Sequence, residues 1–526
     1  MCMVSKPGRH PTMASSFEKF LTKHRGLVIF LFAVPISFVW QLVLDLEQWI
    51  FLTFKNTNKL HDAKVQKIQD EVRKASKSGK KMCTARKPWA TISSRNATFK
   101  KDLAQISIDL RNVLNLDINR KVVKVEPMVT MGDLSHYLIP KGYSLAVLAE
   151  MDDLTVGGLC MGVGIETTSH RYGFLSETVE AYWIVTADGN LVRATRTENV
   201  DLFRALPWSH GTLGFLVAVE IKVVPIKPYM HVTYHPFHSQ EEFTKVFKEM
   251  SESQNPPSFL EGLIFSPQHG VIMCGEMAEV DTLQKRLKVN SINLWHKPWF
   301  YKHAEKYLDK GKGEEYIPLR HYFHRHTPSV FFQLKDLIPF ANKFWYRWLF
   351  AWMGAPKIAL LKMSTTKELR KQAFYNRVAQ DVVIPVQHMD KCLDFVHEKY
   401  KIYPLWICPV KIVDHGEQEG FLRNPNNPIP GRDYEMYVDI GVYGIPPDVE
   451  LQNWNGIDTS KELEQMVTEM KGYHMLYADI FMNQSEFESM FNHTLYRVVR
   501  TKYGADKAFP EVYNKVVPEK WLYEAK

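Results

Sequence analysis

Residues 27–44, LVIFLFAVPISFVWQLVL, make an uncharged run of eighteen positions, with Lys19, Lys23 and Arg25 before it and Asp45 and Glu47 after it. That length reaches the lower limit for a helix that crosses a bilayer. No small-residue cleavage site follows, which favours a retained anchor over a cleaved signal. Pro35 and Gln41 interrupt the run and residues 49–54 prolong it, so a kinked or interfacial anchor stands as the alternative to a single span. Lys55, Lys59 and Lys64 balance the basic residues on the near side, so charge does not set the orientation. The period then changes. Val65, Ile68, Val72 and Ala75 fall on one face of a Lys- and Arg-rich stretch, 60–78, which predicts a connector helix near the membrane that ends at Ser78-Gly79.

Between about 89 and 225 the pattern is of short alternating runs separated by turns: WATISS, KVVKVEPMV, the helix-like GDLSHYLIPKG, then AYWIVTADGNLVRA and GFLVAVEIKVVP. Asp188-Gly189 lies between two such runs, where glycine supplies the positive φ of a tight turn. Pro225-Ile226-Lys227-Pro228 breaks the pattern and marks a boundary. These signals predict an α+β chain of four parts: a tail and anchor over 1–54, a first domain over 55–228, a second over 229–470, and a C-terminal segment, 471–526, closing on the active site. The second part holds Trp295, Trp299, Trp345, Trp348, Trp352 and Trp406, which suits either an aromatic-lined substrate domain or a core rich in large side chains.

Composition narrows the function classes. With 526 residues, 45 % apolar and 24 % charged, the chain is globular and multidomain rather than disordered or polytopic. Its net charge of +8 is spread along the chain, which argues against nucleic acid and leaves an anionic membrane or a phosphate-bearing cofactor as partners. Six scattered cysteines without a CxxC pair point to reduced thiols rather than a disulfide framework.

The densest chemistry lies in Asp153-Leu154-Thr155-Val156-Gly157-Gly158-Leu159-Cys160-Met161-Gly162-Val163-Gly164-Ile165-Glu166-Thr167. Four glycines in eight residues let the backbone approach a ligand, and successive amide N–H groups make an anion-binding concavity. No Gly-Lys-Ser/Thr follows, and the third glycine of the dinucleotide fingerprint is missing. By spacing alone, a phosphate cradle and a packing turn are equally good accounts.

The neighbours of this run carry a resemblance. Glu126-Pro127 through Asp133-Leu134 upstream, Thr155-Val156-Gly157-Gly158, then Ala187-Asp188-Gly189 and Trp208-Ser209-His210-Gly211-Thr212-Leu213-Gly214-Phe215 downstream are similar to the PCMH-type FAD-binding domain of the vanillyl-alcohol oxidase family. The longer strings Ser169-His170-Arg171-Tyr172-Gly173, Glu315-Tyr316-Ile317-Pro318-Leu319-Arg320-His321-Tyr322, Tyr437-Val438-Asp439-Ile440-Gly441 and Leu476-Tyr477-Ala478-Asp479 resemble its sterol-reducing branch over nearly the whole chain. The resemblance implies a two-subdomain FAD-binding domain plus an α+β cap domain behind an N-terminal anchor helix. Thr155 to Thr167 and Gly211 to Gly214 would hold the FAD. The attachment context of a covalent flavin is absent, so FAD is expected to be non-covalent, with NADPH as reductant. The implied reaction is reduction of the delta-24 side-chain double bond of a sterol on the endoplasmic reticulum membrane, with the body on the cytosolic side and self-association left open. A flavin oxidase of an alcohol or sugar and a non-enzymatic scaffold are the alternatives.

An isolated alkene needs a proton donor as well as a hydride, and an apolar site keeps a carboxyl protonated near neutrality. Asp479, alone among apolar residues, and Tyr477 two positions before it are candidate catalytic residues, as are His321 and Tyr322. The Arg320–His326 cluster reads first as a structural basic patch, with an acid or a site for NADPH phosphates as the alternatives. No metal is expected, because no carboxylate or thiolate stands at ligand spacing to its histidines. Glu166 reads either as orienting a ligand or as a helix cap.

Overall fold

Two β-sheets of different sizes organise the body in the computed structural model, which describes residues 20, 23–54, 57–87, 90–91, 98–447, 454–518 and 522. Before the sheets come two long helices. Helix α1 runs Arg25–Val28, Ile29–Ala33 in π geometry, then Val34–Phe54, and helix α2 is Thr57–Lys77. A short parallel pair, β1 (Met82–Thr84) and β2 (Ala104–Ile106), follows.

The first sheet comprises β3 (Val113–Asp117), β4 (Val122–Val125), β5 (Tyr143–Leu145), β6 (Val179–Val185), β7 (Leu191–Thr195) and β8 (Phe215–Pro225). Its order is β3-β4-β8-β6-β7, with β5 on the far end of β8. Strand β8 sits centrally because its apolar residues are buried on both faces, as an almost unbroken hydrophobic run demands. Helices α3 (Met131–Leu138) and α4 (Val156–Met161) belong to the same half. Thr130 caps α3: its side chain accepts from Asp133 N and its own N–H meets the Asp133 carboxylate.

Strand β8 ends at Pro225 and the next strand starts a new sheet. That sheet holds β9 (Tyr229–Phe237), β10 (Phe259–Ser266), β11 (His269–Ala278), β12 (Gly313–Pro318), β13 (Val378–Pro385), β14 (Leu405–Val413), β15 (Tyr434–Gly444) and β16 (Tyr473–His474). Its order is β12-β9-β11-β10-β14-β15-β13-β16, antiparallel at every pairing. Helices α5 (Phe344–Leu349) and α6 (Ile358–Met363) lie in the long connection before β13.

Helix α2 differs from the expected membrane connector. Val65, Ile68 and Val72 are buried in the common core, and the buried pair His61 Nδ1–Glu126 Oε1 closes at 2.7 Å. Gln69 and Arg73 also donate to Gly189 O at 2.9 and 3.1 Å. The helix is therefore part of the first half. Gly189 has φ +80°, and a Cβ there would come within 2.5 Å of Arg73 Cγ, so both the turn and the approach of α2 require glycine. The expected strand WATISS lies largely outside the described residues, and Ala90 and Thr91 are not in a strand.

Candidate functional site

A cavity of about 890 Å³ opens between the two sheets, lined at one end by the glycine run and at the other by the second sheet. That is the upper part of the usual ligand-site range, roughly 300–1,000 Å³. Its glycine end is a backbone surface. Among the described residues, no acceptor meets the N–H groups of Gly158, Val163, Gly164 and Ile165. The glycines serve two purposes. A Cβ on Gly157 would lie 2.7 Å from Pro127 Cβ, one on Gly164 would lie 2.9 Å from Leu175 Cβ, and one on Gly162 would lie 3.2 Å from the His210 ring, so these three let elements pack. A Cβ on Gly158 would meet only Thr155 Oγ1, at 3.3 Å, and would otherwise project into open cavity.

The rim of this end is cationic. Arg86, Lys87, Lys100, Arg111 and Lys515 all line it. Arg86 donates to Thr155 Oγ1 at 3.0 Å and to Ala90 O at 2.6 Å, and among the described residues no acceptor meets its Nε. Burial lowers the pKa of Lys100, with Arg86 and Lys87 adding to it, and burial beside Arg111 lowers that of Arg86; each cation would gain from an anion placed here. The Trp208–Gly214 loop presses on the cradle from behind. Trp208, His210 and Gly211 all have positive φ, His210 N donates to Met161 O at 2.7 Å, and Lys515 donates to His210 O. Amides without an acceptor among the described residues, a glycine open to the cavity and a cationic rim together fit the diphosphate of a nucleotide.

The opposite end is largely apolar and holds the carboxyl of Asp381. Met151, Leu154, Phe331, Ile358, Trp406, Tyr443 and Tyr477 surround Asp381. In the β13–β15 ladder Asp381 faces Gly441, and strand alternation puts Asp439, Gly441 and Tyr443 on one face of β15. A Cβ on Gly441 would lie 2.7 Å from Asp381 Oδ1, so glycine makes the room for the carboxyl. Tyr443 donates to Asp381 Oδ1, the Tyr477 hydroxyl flanks the same group, and Oδ2 has no partner. Burial pushes Asp381 up to about 7, and Asp439 behind it is raised well above the carboxylate range by burial and by Asp381. Glu150, also on the cavity wall, is raised by burial and by the neighbouring Glu166.

The residues expected from the sequence divide three ways. Thr155, Gly157, Gly158, Leu159, Met161, Gly162, Val163, Gly164, Ile165, Gly211, Gly214 and Tyr477 line the cavity. Val156, Cys160 and Leu213 are buried behind it, and Thr212 is spent on Ser209 O and Tyr496 at 2.7 Å each. Glu166 neither caps a helix nor faces the cavity: its Oε1 accepts from Thr167 N and Arg325 Nη2, both at 2.9 Å. Of the four expected catalytic residues, Asp479, Tyr322 and His321 do not line the cavity. Asp479 is clamped by Arg370 at 3.1 and 3.2 Å, while Tyr322 is fully buried under the Arg325 guanidinium, 4.5 Å above its ring. His321 is off the cavity wall, with its carbonyl accepting from Asn293 at 2.9 Å.

The 320–326 cluster joins the halves instead of meeting a phosphate. Arg320 pairs with Asp152 at 2.8 Å, and His324 bonds Ser135 Oγ at 2.8 Å. Arg325, buried, reaches Glu261 of the second sheet at 2.7 and 2.8 Å and Glu166 of the first half at 2.9 Å. The guanidinium holds Glu261 down to about 2 against the penalty of burial.

Comparison with known proteins agrees with this geometry. Residues 63–195 match the FAD binding domain family. Over 145 residues, 27 % of the chain, it is 30 % identical to L-gulonolactone oxidase of Bos taurus. Fold, cradle and match define an FAD-dependent oxidoreductase. The likeness to one group of these enzymes runs much further. The chain is 41 % identical to Delta(24)-sterol reductase of Homo sapiens over 95 % of its length and 94 % of that protein's. It is 37 % identical to Delta(24)-sterol reductase of Arabidopsis thaliana over 97 % of its length and 94 % of that protein's. The chain belongs to the delta(24)-sterol reductase family.

Proposed function

We propose that the protein reduces the delta-24 side-chain double bond of a sterol, using non-covalent FAD and NADPH. The observation that carries the reading is a single cavity with an amide cradle at one end and a buried, protonatable carboxyl among aromatic rings at the other. Thr155, Gly158, Val163, Gly164 and Gly211, with Arg86 and Lys100, hold the diphosphate side of FAD. FAD, once reduced by NADPH, supplies the hydride.

The chain supplies the proton. Asp381, neutral below about pH 7, passes a proton to the less substituted alkene carbon, directly or through the Tyr477 hydroxyl. Positive charge then gathers on the tertiary carbon, where the faces of Phe331, Trp406 and Tyr443 stabilise it until hydride arrives. Tyr443 and Tyr477 orient the carboxyl, and Asp381 is reprotonated from solvent before the next turnover. An alcohol or sugar oxidase would need paired polar groups where this wall is Met151, Phe331 and Trp406. NADPH and sterol would use this one cavity in turn. The body works on the cytosolic face of the endoplasmic reticulum, and residues 55–228 and 229–470 act as coenzyme and substrate units.

The test is anaerobic. NADPH should bleach the flavin band and a delta-24 sterol should restore it, with the product two hydrogens heavier. Asp381→Asn should leave bleaching by NADPH intact and slow sterol reoxidation by about 100-fold or more. Reoxidation of that variant at the wild-type rate would remove Asp381 from the mechanism.

A further inference from the structure

Helix α1, read alone, is the one helix among the described residues long and apolar enough to cross a membrane, over Arg25–Val43. It does not stand away from the body. One stripe is packed: Ile29, Val34 and Ser37 are buried, and the Phe30 ring sits among Phe340, Tyr346 and Phe350 at 5.0–5.8 Å. Ser37 Oγ accepts the Lys357 N–H at 2.8 Å, and the Lys357 amine pairs with Asp153 at 2.7 Å. If α1 stood upright across a bilayer, these contacts would carry a Lys–Asp pair and non-helical backbone into hydrocarbon, at high cost.

The opposite stripe is bare. Leu31, Phe32, Val39 and Leu42 are each 51–60 % exposed. Beside it α5 and the turn Ala351–Met353 expose Phe344, Trp348, Leu349 and Trp352, and the Phe38–Trp352 ring contact at 5.2 Å joins the two surfaces. Tryptophan at such a surface matches the headgroup level of a membrane. The charge matches too: residues 337–367 contain Lys343, Arg347, Lys357, Lys362 and Lys367 and no Asp or Glu. This face ends at the cavity, because Asp153 and Ile358, the partner and the neighbour of Lys357, both line it.

We propose that α1 lies in the membrane plane and forms, with residues 344–352, one docking face sunk into a single anionic leaflet, and that substrate passes from that leaflet into the cavity beside Ile358. The docking stands on its own observations; the entry route rests on the sterol reading above.

Three measurements on the full-length holoenzyme test it. In sealed vesicles, Phe20→Cys and Lys59→Cys variants, with the wild-type chain as blank, should react with a membrane-impermeant maleimide from the same side. Reaction from opposite sides would overturn the in-plane helix. A Phe344→Ser/Leu349→Ser/Trp352→Ser variant, checked for unchanged flavin absorbance and melting, should bind phosphatidylcholine–phosphatidylserine vesicles about 30-fold more weakly. Unchanged binding, or wild-type protein that ignores the vesicles and pairs with itself through this face, would overturn the docking surface. The same variant should lose turnover of vesicle-borne delta-24 sterol and keep turnover of cyclodextrin-borne sterol. Equal turnover in both presentations would overturn the route, whereas wild-type enzyme inactive on both would overturn the sterol reading and leave the docking result standing.

Discussion

Replacing Gly158 with alanine separates ligand space from protein space. The new methyl meets only Thr155 Oγ1 at 3.3 Å, a contact that a rotation of the threonine relieves. Gly158 is inside α4, where exchanging glycine for alanine raises helix stability by about 1 kcal/mol. The apoprotein should therefore melt at or above the wild-type temperature. On the proposed reading the methyl would nevertheless stand where a diphosphate would approach the Gly158 N–H. Loss of one charge-assisted hydrogen bond costs about 1.5–3 kcal/mol, or about 10- to 150-fold in affinity. Flavin-stripped protein titrated with FAD and followed by fluorescence quenching reads the affinity, and calorimetry of the apoprotein reads the fold. Gly164→Ala is the contrast: its methyl meets Leu175 Cβ at 2.9 Å, so it should lower the apoprotein melting temperature. Wild-type FAD affinity in Gly158→Ala would refute the assignment of this turn to the coenzyme.

Asp381→Asn should lose turnover yet gain stability in alkali. A carboxyl that titrates near 7 when folded and near 4 when unfolded contributes stability fully at low pH and loses it as pH rises through 7. The amide removes that loss, worth about 1 kcal/mol at pH 5 and up to about 4 kcal/mol at pH 8, so urea melts should show a gain several-fold larger at pH 8 than at pH 5. Arg325→Leu strands the charge of Glu261 in the core and should cost about 3–5 kcal/mol; a change under 1 kcal/mol by denaturant titration would contradict its role in joining the halves. Asp479→Asn should cost stability through Arg370 while flavin-normalised turnover stays within about twofold, because other packing keeps the cavity in place. A hundredfold fall in that turnover with an unchanged melt would return Asp479 to the reaction.

The glycine cradle was legible through its neighbours, since by spacing alone a packing turn accounts equally well for four glycines in eight positions, and the spacing did not say which of them faces a ligand. Gly157, Gly162 and Gly164 turned out to accommodate protein neighbours, and Gly158 the cavity. The acid was not legible. Asp381 in VAQDVVIP and Asp479 in MLYADIF are both single carboxylates in apolar runs. Their fates differ through partners distant in sequence. Arg370 neutralises Asp479, whereas Asp381 faces Gly441 across a ladder and has no cation against it. The structural role of the Arg320–His326 run was expected, but its place in the interior was not legible, for a related reason. Clustered basic residues suggest a surface for anions, but Glu166, Glu261 and Asp152, contributed by other segments, take up its charges in the interior.

One guanidinium group, that of Arg325, thus sets the register between two donors that arrive from different halves of the molecule. In the proposed reaction the hydride would come from the side of the first sheet and the proton from the second, and an alkene is saturated only when both reach it in one binding event. A slacker joint would let reduced coenzyme discharge to dioxygen and form peroxide while the lipid left unchanged. Rigidity at this seam therefore bears on economy of reductant as much as on folding, and peroxide released per NADPH consumed becomes the gauge of how well the two halves are kept in step.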